Sequence, residues 1–116
     1  MSDDCKPDLV AAFCTAGSPE ETRRIAGALV AEKLAACVNV VDDIDSIYRW
    51  QGAVESAAEF LMLIKTRADL LPAIELRLRE LHSYEVPELI AVPIRHGAKP
   101  YLDWLIASSR NSQKTS

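Results

Sequence analysis

The 116-residue sequence lacks the features that mark several protein classes. No apolar run approaches the ~20 residues needed to span a bilayer, so no membrane partner is expected. The 13 basic residues are outnumbered by 17 acidic ones and form no cluster, so the net charge of -4 argues against a nucleic-acid partner. Residues 1–7 are polar and acidic, unlike a secretory signal. We therefore expect a cytoplasmic location.

Motifs for catalysis are also absent. Three cysteines at wide spacing fit neither a disulfide framework nor a CxxC metal knuckle. No serine lies in a GxSxG turn, and neither a Gly-rich phosphate loop nor an HExxH sequence occurs. Two carboxylate pairs remain, Glu85 with Glu88 and Asp42 with Asp43, and the aspartates are interpreted as a solvated bend. The sequence predicts that the protein is not an enzyme.

The hydrophobic fraction of 49% and the charged fraction of 26% are typical of a globular domain. Apolar runs, caps and turns predict the order β-α-β-β-α-β followed by a terminal helix. This is the split βαβ, or ferredoxin-like, α+β fold, in which both main helices cover one face of an antiparallel sheet. The predicted elements are a strand over 8–14, a helix over 18–34, strands over 37–50 and 53–65, a helix from 66 or 69 to 81, a strand over 88–94 and a helix over 100–106. We predict one domain over 8–107 between flexible tails over 1–7 and 108–116.

Local signals support these boundaries. Ser18 is a typical helix N-cap, and Glu21 would complete a capping box with it. Asp42-Asp43 predicts a bulge in the second strand, and Gln51-Gly52 is typical of a tight hairpin turn. The two strands of this hairpin are long, so we expect their overhang to be buried against a neighbouring subunit.

Metal binding is the chemistry that the residues favour. A thiolate and an imidazole, here Cys14 and His82, suit Cu(I), Cu(II) or Zn(II). Each residue has a structural alternative. A free cysteine often behaves as a small buried hydrophobe, and a histidine at a helix C-terminus can interact with the helix dipole.

The join between the second main helix and the last strand, Leu81 to Ile90, concentrates a histidine, a tyrosine, two carboxylates and a proline. Such joins lie at the surface and often carry binding groups. Pro87 has no N–H to donate and suits the start or edge of a strand. A purely structural chain reversal explains the same residues, so both interpretations stay open.

Several segments carry a family resemblance. They are Glu32-Lys33-Leu34-Ala35-Ala36-Cys37-Val38-Asn39, Tyr48-Arg49-Trp50-Gln51-Gly52, Val54-Glu55, Ile64-Lys65-Thr66, Leu81-His82-Ser83-Tyr84-Glu85-Val86-Pro87-Glu88 and Tyr101-Leu102-Asp103-Trp104. Over about residues 9–107 the chain resembles the CutA family of divalent-cation tolerance proteins. It departs at Ser83, where the family usually has proline.

The resemblance implies a compact cytoplasmic homotrimer, similar in architecture to the PII signalling proteins, and a role in tolerance of copper and other divalent metals. It implies Cys14 and His82 as metal-contacting residues. Some relatives carry a second histidine where this chain has Leu81. Further ligands are therefore expected from a second subunit or from Glu85.

Two functional hypotheses follow. The first is a metal-responsive trimer that binds copper or another divalent ion at clefts between subunits. The alternative is a PII-like signalling or interaction module that binds a small ligand or a protein partner in those clefts. The predicted cleft residues are Trp50, Glu59, Lys65, Tyr84 and Glu85. For Glu59 and Lys65, a partly exposed ion pair of little energetic weight is an equally good interpretation.

Overall fold

The computed structural model of the chain describes residues 7–111, and the predicted fold is confirmed there. The elements are β1 (Leu9–Ala16), α1 (Pro19–Ala31), β2 (Cys37–Trp50), β3 (Ala53–Arg67), a 3₁₀ turn (Ala68–Leu70), α2 (Leu71–Leu81), β4 (Ile90–Pro93) and α3 (Lys99–Ser108). Within the described residues the strands form one antiparallel sheet in the order β2-β3-β1-β4. This order is that of a ferredoxin-like α+β fold.

The main core lies between one face of the sheet and the two main helices. Its fully buried members include Ala12, Cys14, Met62 and Ile64 from the central strands, together with Ile25, Leu29, Ile74 and Leu78 from α1 and α2. The even-numbered positions of β1 and β3 thus face the helices, as the period of two in a strand requires. Cys14 is a member of this core.

The N-terminus of α1 begins as predicted, except for one side chain. The Ser18 hydroxyl accepts a hydrogen bond from the Glu21 N–H at 3.1 Å, which is the N-cap contact. The Glu21 carboxylate does not return to the cap. It accepts hydrogen bonds from Ser83, after α2, so the predicted capping box is only half formed.

The β2–β3 hairpin extends beyond the rest of the sheet. β2 and β3 have 14 and 15 residues, whereas β1 has 8 and β4 has 4. Pairing of β1 with β3 stops at Phe60, so the hairpin from Ile44 to Glu59 has no third strand beside it in the described chain. We call residues 44–59 the hairpin arm. The predicted bulge lies between Val41 and Ile44, and the turn at Gln51-Gly52 has positive φ at both positions.

Several predicted boundaries differ from the structure. β1 and β3 each run two residues further than predicted, and α1 ends at Ala31 and not at residue 34. β4 pairs with β1 only over Ile90–Pro93, so it is shorter than the predicted strand over 88–94. The chain is folded beyond residue 107: α3 ends at Ser108, the Ser109 hydroxyl donates to the Leu105 carbonyl at 3.0 Å, and the Arg110 N–H donates to the Lys33 carbonyl at 2.8 Å. The remainder of the predicted tails, residues 1–6 and 112–116, lies outside the described residues.

Candidate functional site

His82 fixes the segment between α2 and β4 to the end of β1. Its imidazole is fully buried, and its Nε2 lies 2.7 Å from the Thr15 carbonyl oxygen. A carbonyl oxygen can only accept, so we assign the proton to Nε2. Nδ1 is then the acceptor for the Tyr84 N–H, at 3.1 Å. Both ring nitrogens of this neutral tautomer are therefore in use.

Glu21 joins the start of α1 to the same segment. Its carboxylate accepts from the Ser83 N–H at 2.6 Å and from the Ser83 hydroxyl at 3.1 Å, and one of its oxygens lies 3.5 Å from His82 Nδ1. Arg24, one turn further along α1, donates to the Leu81 carbonyl at 2.8 Å. Burial alone would raise the pKa of the Glu21 carboxyl, but the two Ser83 hydrogen bonds and nearby positive charge lower it below its usual value.

Acid is expected to weaken this link. Because the folded-state pKa of Glu21 is lowered, its contribution to stability is present above the unfolded-state value of about 4.3 and is lost as pH falls through the lower folded-state value. Urea unfolding at pH 7, 5, 4 and 3 should show a shallower loss of stability for Glu21→Gln than for the wild type. Glu20→Gln, at an exposed position in the same helical turn, should keep the wild-type slope. Equal slopes for all three proteins would contradict the prediction.

Tyr84 connects the segment to β3. Its hydroxyl donates to a Glu59 carboxylate oxygen at 2.6 Å, and its ring centroid lies 4.6 Å from that of His82. Gly17 makes room for this contact, since a Cβ at that position would lie 3.3 Å from the Tyr84 hydroxyl oxygen. Burial, followed by the hydrogen bond to Glu59, raises the pKa of the Tyr84 phenol well above its ordinary value. Tyr84 is therefore a hydrogen-bond donor at all physiological pH values.

Cys14 is fully buried, and its thiol is neutral at pH 7. Burial, followed by the negative charges of Glu88, Glu21 and Glu59, raises the pKa of this thiol to about 12. A thiolate is the form that binds metals, so a cation would have to displace this proton. The same three carboxylates make the surroundings of the thiol electronegative, which favours a cation and disfavours an anion.

The structure brings together only part of the predicted cleft. Glu59 and Tyr84 are hydrogen-bonded, and Glu85, the next residue after Tyr84 in the chain, is exposed. Lys65 lies near the other end of β3, opposite Ala11 and Cys37, with its ammonium 5.8 Å from the Tyr101 ring centroid. Trp50 stands at the tip of the hairpin arm and is 61% exposed. Lys65 and Trp50 do not join the Glu59–Tyr84 pair within one protomer, and the predicted ion pair of Lys65 with Glu59 does not form.

Three contributors to the site were not predicted: Thr15, Glu21 and Ser83. In the sequence, Ser83 is distinguished only by its departure from a family pattern, and Glu21 only by its position in a possible capping box. The Glu21–Ser83 contact joins residues separated by 62 positions. A contact of that kind leaves no local signature in the sequence.

A metal site needs several donor side chains grouped around one point. Within residues 7–111, no group of three or more His, Cys, Asp or Glu side chains is placed to hold an ion. His82 donates one N–H to a backbone carbonyl, as metal-ligating histidines do, but its other nitrogen, Nδ1, already accepts the Tyr84 N–H. The roles of Cys14 and His82 as metal ligands remain predictions.

Comparison with known proteins identifies the family. The sequence model for the "CutA1 divalent ion tolerance protein" matches residues 10–108. The chain belongs to the CutA1 family. The divalent-cation tolerance protein CutA of Thermus thermophilus is 52% identical over 91 residues, covering 78% of this chain and 88% of that protein. The chloroplastic CutA 1 of Oryza sativa is 46% identical over 106 residues, covering 91% of this chain but only 59% of the rice protein.

Solved CutA structures share the fold. The crystal structure of CutA1 from Oryza sativa has a TM-score of 0.89 at 44% identity, over 91% of this chain and 97% of that one. The CutA of Archaeoglobus fulgidus, described as periplasmic, has a TM-score of 0.83 at 40% identity, over 86% and 97% of the two chains. Because these CutA proteins are named for different compartments, the cytoplasmic location of this chain stays a prediction. Between Pro7 and Asn111, no helix is long and apolar enough to cross a membrane.

Proposed function

We propose that the protein acts in divalent-cation tolerance as a homotrimer that binds copper or another divalent cation beside His82, with the ligand set completed where subunits meet. The observation that carries this proposal is the orientation of the His82 imidazole. Its Nε2–H is held by Thr15, and its Nδ1, which accepts the Tyr84 N–H, lies 3.5 Å from an oxygen of the Glu21 carboxylate. Membership in the CutA1 family supports the same class of function.

The hairpin arm supports assembly. Ile47, Val54 and Trp50 on this arm are 73%, 69% and 61% exposed in the protomer. Large apolar side chains grouped on an unpaired ribbon indicate a protein–protein interface. The outer edge of β4 is similarly open, with Ile90 and Val92 exposed. A closed ring of three copies would bury both features and leave no free edge.

The ligand set that we propose combines residues of different character. His82 supplies a nitrogen, Cys14 a sulfur after loss of its proton, and Glu85 or a residue of a second subunit the remaining donors. Copper is favoured by the nitrogen and sulfur ligands. We propose no catalytic step. We also propose that the protein is cytoplasmic.

Titration of the assembled protein tests this function. The mass in solution is measured first, because a trimer of 12.8 kDa chains is required. Calorimetric titration with copper and with zinc should then give saturable binding near one ion per subunit. His82→Ala should abolish it, while His96→Ala, at the exposed histidine after β4, should not change it. Absence of saturable binding to a correctly assembled wild type would refute the cation proposal.

A second candidate is a PII-like module that binds a small anionic ligand between subunits. Lys65 favours it, because this half-buried residue forms no ion pair with a carboxylate within residues 7–111. The half-exposed Tyr101 ring lies beside its ammonium, and the half-exposed Trp104 ring lies against Tyr101. An anion that raises the thermal midpoint of the wild type but not of Lys65→Gln would support this function. Raised midpoints in both proteins would argue against a role for Lys65.

A further inference from the structure

A groove of about 660 Å³ lies between α3, the start of β1, β4 and the turn that precedes α2. Its apolar lining includes Leu9, Leu71, Pro93, Ile94, Leu102 and Ile106. Ile94, Leu102 and Ile106 remain partly exposed, although they pack against the small core cluster around Leu105. Small-molecule sites are concave, mostly apolar and about 300–1,000 Å³ in volume. The groove meets these criteria and lies apart from the site around His82, whose residues do not line it.

The walls of the groove are held by close contacts within the protomer. The Ile94 N–H donates to the Leu9 carbonyl at 2.9 Å, which joins the end of β4 to the start of β1. Gly97 lets the loop after β4 approach α3, since a Cβ at that position would lie 2.8 Å from a Leu102 methyl carbon. The groove is therefore preformed, and a ligand that enters it does not have to order a loop.

Three charged residues also line the groove: Asp8, Lys99 and Asp103. The Lys99 ammonium donates to Asp103 at 2.7 Å, so these two charges offset each other. The Ala68 N–H fixes the backbone at Asp8 by donating to its carbonyl at 2.8 Å, whereas the Asp8 carboxylate forms no ion pair within residues 7–111. Two carboxylates and one ammonium leave the groove with one surplus negative charge, of the same sign as the net charge of -4. Such a field attracts a cation and repels an anion.

We propose that the groove is a binding site for a small organic cation with an apolar body, of the alkylammonium class. The body lies on Leu102 and Ile106, where it removes apolar surface from water on both sides, and the ammonium lies beside the Asp8 carboxylate. An ammonium is a compact point charge that requires no fixed coordination geometry, unlike a metal ion. This site is additional to the proposed function and uses none of the residues on which that function depends.

Three probes of equal chain length test the class of ligand: octylammonium, octan-1-ol and octanoate. Titration of the ¹⁵N-labelled 116-residue protein with octylammonium should shift the Ala91 and Ile106 amide resonances saturably and leave the Tyr84 amide resonance unshifted. Octylammonium should bind about tenfold more tightly than octanoate, because the surplus carboxylate attracts one and repels the other, with octan-1-ol between them. The difference should shrink at high salt, which screens exposed charges.

Matched variants test the location of the site. Ala91→Phe places a ring in the groove from an exposed position and should abolish binding of octylammonium and octan-1-ol. Ala107→Phe adds the same ring at an exposed position of α3 that does not line the groove, and should bind like the wild type. Asp8→Asn should weaken octylammonium binding about fivefold at low salt and leave octan-1-ol binding unchanged. Asp45→Asn, on the hairpin arm, is its exposed control.

Several results would overturn the inference. Octanoate binding as tight as octylammonium binding would refute the preference for a cation, and octylammonium binding retained by Ala91→Phe would refute the location. A lower mass of Ala91→Phe in solution would assign the groove to a contact between copies of the chain. Contacts of Leu102 with residues 1–6 in the ligand-free protein would assign it to the chain's own N-terminal segment. A failure of the protein to bind copper or zinc leaves this inference standing, because the two sites share no residue.

Discussion

Replacing Ile47 and Val54 by aspartate is expected to dissociate the assembly into 12.8 kDa protomers. Ile47 pairs with Ser56 and Arg49 with Val54, so Ile47 and Val54 are diagonal neighbours on one face of the hairpin arm. Both are more than two-thirds exposed in the protomer. In the proposed trimer this apolar pair is buried against another copy, and two buried unpaired carboxylates would oppose association strongly.

The effect should be measured by mass in solution and by thermal unfolding. Light scattering should change from about 38 kDa, three copies of the chain, to the mass of one copy. The thermal midpoint should fall by roughly 10 °C or more, because folding then loses its linkage to assembly. Leu76→Glu changes another exposed apolar residue, on α2, and should leave the mass unchanged. Retention of the larger mass by the double aspartate variant would exclude this face of the arm from the interface.

The parts of the fold that follow from local chemistry were predictable from the sequence. Ser18 caps α1 through its own side chain, and Gln51-Gly52 adopts the positive φ values that a tight turn requires. These features depend on neighbours within a few positions. The length of β4 depends instead on which residues pair with β1, and the predicted strand was longer than the observed one.

The candidate site depends on contacts between distant residues, and it was predictable only in part. The sequence drew attention to His82 and Tyr84, yet it could not show that Thr15, Glu21 and Glu59 hold them in place. The predicted grouping of Trp50 and Lys65 with Tyr84 depends on a different kind of contact, between copies of the chain. These residues lie far apart on one protomer, so only the packing of several copies could bring them together, and that packing is not encoded in any one segment.

His82→Ala is expected to produce the largest combined loss of stability and binding. The imidazole is fully buried and donates to the Thr15 carbonyl at 2.7 Å. Alanine would leave this carbonyl and the Tyr84 N–H without their partner and would leave a cavity where the ring was. From these effects the free energy of unfolding should fall by about 3–5 kcal/mol. Copper and zinc binding should be lost as well, because the ligand nitrogen is removed.

Two further variants, compared with His82→Ala, decide whether His82 has a structural role or a ligand role. His96→Ala removes the other histidine, which is exposed, and should change neither urea unfolding nor metal binding. His82→Gln can still donate to Thr15 through its amide and should recover part of the stability, but its amide nitrogen has no lone pair for a metal. If His82→Gln restored metal binding along with stability, His82 would act by holding the segment in place and not as a ligand. Stability restored without metal binding is the result that the proposed ligand role requires.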